Sequence, residues 1–292
     1  MTPLPPQPHF PSRYARPSTA PSIARRVSTA DGAQIATFVY GTLGTATPVL
    51  MLHGNGEEHG IFGPIIDVVN EAGIPVIAID SRAQGKSTRG AERLTYELMT
   101  NDAVTALDDL GVTCAHVLGF SDGGIEALLL ACDWPERVAS LTALGANITP
   151  EGVLPDPDWD LEGSIERNRA WAEWWRDCSD PSQTRATDVD QSLLMPTPAE
   201  AARASELLQL MLDEPHIAAD SLGAIHCPTC IMVGEHDCID PAETNRIVNA
   251  IPDARLVVVP NAGHSLPKAV PDSVSAHLLA NIFLAASNAR RA

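Results

Sequence analysis

Apolar residues recur along this chain in two rhythms. The runs within Pro48 to Leu52 and Pro75 to Asp80 have the length and continuity of strands buried on both faces. Val117 with Leu118, Val138 to Gly145, Cys230 to Gly234 and Arg255 to Val259 read as further strands. Between them the spacing turns helical, over residues 61 to 72, 95 to 110, 241 to 250 and 271 to 286, and through Ile125, Leu128, Leu129 and Cys132. Residues 23 to 40 read as two antiparallel strands joined by a tight turn at Ala30, Asp31 and Gly32. Strands that alternate with helices predict an α/β fold, a mostly parallel sheet flanked by helices on both faces.

Two segments depart from that rhythm. Residues 147 to 222 hold no strand-like run, carry Trp171, Trp174 and Trp175, and have proline-rich joints at 155 to 157 and 196 to 198. They read as a helical cap, or lid, inserted into a core of residues 23 to 146 and 223 to 292. Residues 1 to 22 contain seven prolines by position 21, too many for an amphipathic helix, and read as an extended arm.

Composition narrows the class. A chain of 292 residues can bury about three quarters of its unfolded surface, so no disulfide staple is required. Its 37 acidic against 19 basic residues give a formal charge of −18, which disfavours nucleic acid and anionic membrane surfaces as partners. No apolar stretch is long enough to span a bilayer and no secretory signal pattern opens the sequence, so a cytoplasmic location is expected. The six cysteines sit in or beside core elements, as reduced thiols would. Cys227 and Cys230 run directly into a strand and read as structural thiols, not as a redox or metal pair.

The sharpest local signal is Gly119-Phe120-Ser121-Asp122-Gly123-Gly124, set between a strand and a helix. The glycines leave room for a strained turn that lifts the Ser121 hydroxyl above the sheet. A serine hydroxyl is a poor nucleophile until an imidazole takes its proton, and the imidazole needs an acid to orient it. Asp237, in the loop after the Cys230 strand, and His264, in the loop after the last strand, lie at the carboxyl edge where open α/β sheets place their sites. Glu235 is the reserve acid.

With the order Ser121, Asp237, His264, the chain resembles the α/β-hydrolases from about residue 25 to 290. His53-Gly54, Gly234-Glu235-His236-Asp237 and Ala262-Gly263-His264 carry the resemblance together with the Ser121 turn, and Ser121 to Gly124 is most similar to the valacyclovirase-like and small bacterial esterase branches. The loop from Asp80 to Ser87 departs from the family pattern by having Ala83 where glycine is usual. The resemblance implies an oxyanion hole made by the backbone N–H groups of Asn55 and Asp122. In the valacyclovirase-like branch the acid beside the serine meets a substrate amine, which makes Asp122, with Glu57 near the mouth, a candidate substrate-binding residue. Trp171, Trp174 and Trp175 either pack the cap or wall the substrate pocket.

Other polar residues have structural readings. His53 supports its loop, Asp80 and Arg82 read as a loop-bracing pair, His236 points away from the acid, and His59 and His116 have no partner that the sequence names. No metal site and no cofactor are expected. The function expected is a serine hydrolase cleaving a small carboxylic ester. Carbon–carbon or amide hydrolysis, perhydrolysis, a lyase reaction, or a ligand-binding protein without turnover remain open alternatives.

Overall fold

The computed structural model describes residues 15–155, 160–178 and 196–290, which divide into two compact units. The larger unit, Tyr14–Leu154 with Glu214–Ala292, contains the sheet. In chain order it carries β1 (Ile23–Ser28), β2 (Gln34–Tyr40), β3 (Val49–Leu52), α1 (Gly63–Glu71), β4 (Val76–Ile79), α2 (Tyr96–Asp109), β5 (Ala115–Phe120), α3 (Asp122–Asp133) and β6 (Val138–Leu144). The second unit contributes α4 (Leu161–Cys178) and α5 (Pro198–Asp213). The sheet unit resumes with β7 (Thr229–His236), α6 (Pro241–Ala250), β8 (Ala254–Gly263), α7 (Leu266–Ala269) and α8 (Pro271–Ala289).

The eight strands lie in the order β1-β2-β4-β3-β5-β6-β7-β8. Strand β2 runs antiparallel to both neighbours, and β4 through β8 are parallel. From β3 the chain moves one way to β4 and then returns on the other side to β5. That reversal opens a crevice at the carboxyl ends of β3 and β5, where ligands of open α/β sheets bind.

The apolar runs explain the layers. Along β3, Val49 and Met51 join Ile65, Ile66 and Val69 of α1 and Val274, Leu278 and Ile282 of α8 in one core cluster. Leu50 and Leu52 point to the opposite face and are also fully buried. Helices α2 and α3 pack against each other, and α3 covers β5 and β6.

The helical unit is a pair. Helices α4 and α5 pack together through buried Ile165, Trp171, Ala201, Leu207 and Leu210. Thr197 opens α5 with a capping box: its amide donates to Glu200 Oε2 at 2.7 Å, and the Glu200 amide donates back to Thr197 Oγ1 at 3.2 Å. Residues 147–154 and 214–222, expected in the insert, belong to the sheet unit. They are stitched there by backbone bonds such as Ile217 N–H to Ile148 O at 2.9 Å and Leu154 N–H to Cys238 O at 2.7 Å. Of the arm expected over residues 1 to 22, positions 1–14 lie outside the described residues. The Ser18 amide donates to the Asp67 carboxylate on α1. Among the described residues no helix is long and apolar enough to cross a membrane.

One correction concerns the loop after β4. Asp80 and Arg82 do not pair with each other. Asp80 accepts from the His59 amide at 2.9 Å, from His59 Nδ1 at 2.6 Å and from the Lys86 amide at 2.8 Å. Arg82, with no exposed side-chain surface, reaches Asp102 on α2 through Nε at 2.8 Å and Nη2 at 2.7 Å, and Asp31 in the β1–β2 turn through Nη1 at 2.5 Å. The sequence spacing could not show this because both partners are remote in the chain. Ala83 adopts a φ of 64°, the left-handed conformation that explains why glycine is usual there. Replacing Arg82 by Met leaves two buried carboxylates without their cation. Urea denaturation of Arg82→Met should show a loss of about 3–5 kcal/mol.

Candidate active site

The site begins with a steric constraint on the turn after β5. Ser121 has φ 54° and ψ −118°, a conformation that non-glycine residues rarely adopt. A Cβ at Gly119 would lie 2.0 Å from the Gly123 carbonyl oxygen, and one at Gly123 would lie 2.1 Å from the Leu52 carbonyl oxygen. Both glycines are therefore required for α3 to close onto β5 and β3. The Ser121 amide donates to Leu144 O at 2.8 Å, and the Gly123 amide donates to His53 O at 3.0 Å, tying the turn to the ends of β6 and β3.

The last two strands bring the other residues in. The register of β7 and β8 runs from Gly234 opposite Val259 to His236 opposite Gly263, so two steps of β7 match four of β8. Asn261, at φ 56°, absorbs part of this bulge, and its amide is held by Glu235 Oε2 at 2.8 Å. Glu235, the reserve acid, is thereby occupied with the bulge. The pairing of 236 with 263 sets the next residues, Asp237 and His264, side by side.

His264 Nδ1 lies 2.7 Å from Asp237 Oδ1, and its Nε2 lies 3.0 Å from Ser121 Oγ. A carboxylate can only accept, so in the neutral ring the proton sits on Nδ1 and Nε2 is left to accept from the hydroxyl. Asp237 also accepts the amides of Ile239 at 3.1 Å and Gly234 at 3.2 Å. Burial works against its charge, but the contact with His264 and these amides hold its pKa below the ordinary value. Burial likewise opposes the His264 cation, yet contacts with Asp237 and then Cys238 outweigh it and raise the pKa to about 10. Phe120 lies against the imidazole with ring centroids 5.1 Å apart, and a Cβ at Gly145 would meet His264 Cε1 at 2.8 Å.

The turn after β3 is braced from below. His53 is fully buried; its Nδ1 donates to Gly54 O at 2.8 Å and its Nε2 accepts the Ser81 amide at 2.9 Å, an arrangement that requires a neutral ring. Burial lowers its pKa accordingly. Gln84 Oε1 accepts the Gly56 amide at 2.6 Å. The turn thus rests on the Asp80 loop.

Asp122 occupies a different place from the one expected. It is 2 % exposed, and its carboxylate accepts Asn55 Nδ2 at 2.9 Å and the Tyr96 hydroxyl. Burial raises its pKa to about 6 despite those bonds. One turn along α3, Glu126 is fully buried with only Ser81 Oγ near it at 3.4 Å, and burial followed by repulsion from Asp122 and Asp102 raises its pKa well above the usual range. Asp122 therefore joins the two loops that flank the crevice. Glu57 is likewise spoken for, paired with Lys268 Nζ at 2.7 Å. Trp171 is buried in the helical unit with Nε1 donating to Pro196 O at 3.0 Å, and the side chains of Trp174 and Trp175 lie outside the described residues.

Sequence reading missed Tyr96, Gln84 and Cys238. No motif marks them, and only the adjacency of Cys238 to Asp237 offered a hint. His59, which the sequence left without a partner, pairs with Asp80 and stacks on Phe38 with centroids 3.8 Å apart.

The family model for the alpha/beta hydrolase fold matches residues 47–267. The chain belongs to that family and is a hydrolase by class. It is 28% identical over 74% of its length to RutD of Variovorax paradoxus (strain S110), which bears the name of a carbamate hydrolase and is covered over 84% of its own length. It is 26% identical over 80% of its length to the rhodomycin D methylesterase DnrP of Streptomyces peucetius, covering 89% of that protein. A thermophilic esterase from Thermogutta terrifontis superimposes with a TM-score of 0.67 at 23% identity, over 90% of this chain and 99% of that one.

The contacts of His264 generate a direct prediction. Its imidazole, followed by NMR against pH, should titrate well above the ordinary 6.5, because Asp237 and Cys238 stabilise the cation. In Asp237→Asn the midpoint should fall by at least about one unit.

Proposed function

We propose that the protein is a serine hydrolase that cleaves small carboxylic esters through an acyl-enzyme. The observation that carries this reading is the unbroken contact from Ser121 Oγ to His264 Nε2 at 3.0 Å and from His264 Nδ1 to Asp237 Oδ1 at 2.7 Å. Ser121 attacks the ester carbonyl while His264, in its neutral form, takes its proton, so turnover rises with pH as the ring loses its own proton. The imidazolium then protonates the leaving alcohol, and the neutral ring activates water to release the acid. Asp237 holds the ring and balances its transient charge. Negative charge that develops on the carbonyl oxygen is received by the backbone N–H groups of Asn55 and Asp122, where each such donor is worth about 3 kcal/mol. Every step uses groups of this chain.

The Asn55–Asp122 contact supports the oxyanion assignment, since it fixes the spacing of the two loops that carry the donors. The names of the methylesterase and esterase relatives point toward esters. The RutD relative favours a second reading, a carbamate, whose carbonyl the same hydroxyl would attack. The helical unit, inserted between β6 and β7, is proposed as the cap that sets acyl and alcohol preference. Free thiols at Cys114, Cys132, Cys227, Cys230 and Cys238 agree with a cytoplasmic setting, and the charge of −18 agrees with a small-molecule substrate instead of nucleic acid or an anionic membrane.

Ser121→Ala should lower kcat on p-nitrophenyl esters by about 10⁴-fold or more with unchanged circular dichroism. A fluorophosphonate should label the wild-type protein at Ser121. Failure of labelling with intact fold would identify a ligand-binding scaffold without turnover. Because the Asp122 carboxylate is buried and bonded, an α-amino ester and its des-amino analogue should have kcat/KM values within about threefold of each other. A preference of about a hundredfold for the amine would restore Asp122, or Glu57, as its acceptor.

A further inference from the structure

Cys238 is the residue beside the triad that ester hydrolysis does not use. Its Sγ, a carboxylate oxygen of Asp237 and a ring nitrogen of His264 lie within 4.8 Å of one another. Among the described residues no other three His, Cys, Asp or Glu side chains gather their ligand atoms so closely. The arrangement is held by backbone. The Asp237 amide donates to Gly234 O at 3.2 Å, the Cys238 carbonyl accepts the Leu154 amide at 2.7 Å, and His264 O accepts the Leu266 amide at 2.7 Å.

Sulfur, imidazole nitrogen and carboxylate oxygen form the mixed set that suits zinc and its thiophilic relatives. Magnesium and calcium require shells of oxygen. Zinc bonds of about 2.0–2.3 Å place tetrahedral ligand atoms about 3.3–3.8 Å apart, between the 2.7 Å of the His264–Asp237 contact and the 4.8 Å that bounds the set, so shifts of about 1 Å reach that geometry. A thiolate and a carboxylate cancel the charge of a divalent ion, and the chain's −18 draws cations toward it. The Asp237 carboxylate is buried, while Cys238 and the His264 ring are partly exposed, so an ion approaches from the thiol and imidazole side.

We propose that Asp237, Cys238 and His264 form a binding site for a thiophilic divalent cation of the zinc class, and that its occupation switches the hydrolase off. Binding breaks the Cys238 S–H bond, releases that proton to solvent and forms a metal–sulfur bond. It also engages one ring nitrogen. At Nδ1 the ion takes the lone pair freed when the ring proton moves to Nε2, which then donates instead of accepting, and at Nε2 it occupies the acceptor for the Ser121 hydroxyl. Either way the imidazole can no longer take that proton. The site itself rests on geometry, whereas its effect on turnover rests on the hydrolase reading, so the two are measured separately.

Cobalt(II) titrated into the full chain should produce a thiolate-to-metal charge-transfer band with one ion per chain. Cys238→Ala should lack the band and bind zinc at least about 100-fold more weakly, while Cys114→Ala should keep both. Zinc should inhibit ester turnover reversibly by chelator, with sensitivity reduced at least about 100-fold in Cys238→Ala, each variant referred to its own metal-free rate. Circular dichroism checks that the variants fold, and Cys238→Ser serves if alanine is not tolerated. No band in the wild-type chain, or an equal band in folded Cys238→Ala, overturns the site. A Cys238-dependent band without inhibition supports the site and instead overturns the role given to His264.

Discussion

The close approach at the turn that carries Ser121 is made by backbone, not by side chains. Strand β5, helix α3 and the end of β3 meet at Gly119 and Gly123, where a single added methyl would lie about 2 Å from a carbonyl oxygen. This contact forces Ser121 into its positive φ and holds it there. A strained residue persists only when its surroundings over-determine it, and the amide bonds from Ser121 to Leu144 and from Gly123 to His53 supply that determination. The Cα–Cβ bond of Ser121 is thereby fixed at the crevice that the strand order opens.

Behind that surface lies a group of buried polar residues. Arg82 with Asp31 and Asp102, His59 with Asp80, neutral His53, and the Asp122–Tyr96–Glu126 group all sit beneath the β3 and β4 loops. Burying charge is costly, and several of these groups hold loops that regular secondary structure cannot reach. Asp80 organises its own loop, Gln84 in that loop holds the Gly56 amide, and Asp122 holds Asn55. Glu126, with Oε2 unpartnered and its pKa raised by burial, is at home there as a neutral acid.

Most of the sheet was legible because buried parallel strands write themselves as apolar runs, unbroken in β3 and β4 and over Cys230 to Val233 of β7. The contacting residues Ser121, Asp237 and His264 could be named because each closes a strand and glycine marks the tight places. What the sequence hid were partners chosen by tertiary proximity. Arg82 finds Asp102 twenty residues on and Asp31 fifty-one residues back, and Tyr96 finds Asp122 across two helices. The acid beside the nucleophile was expected to face substrate because adjacency in sequence suggests a shared surface. A helix turns by about 100° per residue, and that rotation carries Asp122 inward while Ser121 stays at the rim.

The acid–base side of the site depends on one irregularity. Had β7 and β8 kept a regular register beyond Gly234, the residues following them would have diverged with the twist of the sheet. Two additional residues in β8, accommodated by Asn261 in a left-handed conformation, lengthen its path until Gly263 lies opposite His236. Asp237 and His264 then face each other at hydrogen-bonding distance, and Cys238 follows into the same space because it is the next residue of that turn. One bulge thus sets the base against its acid and places a thiol beside both. The tuning of the imidazole and any susceptibility of the site to soft cations are therefore consequences of a single backbone feature, and a change that straightens β8 would disturb them together.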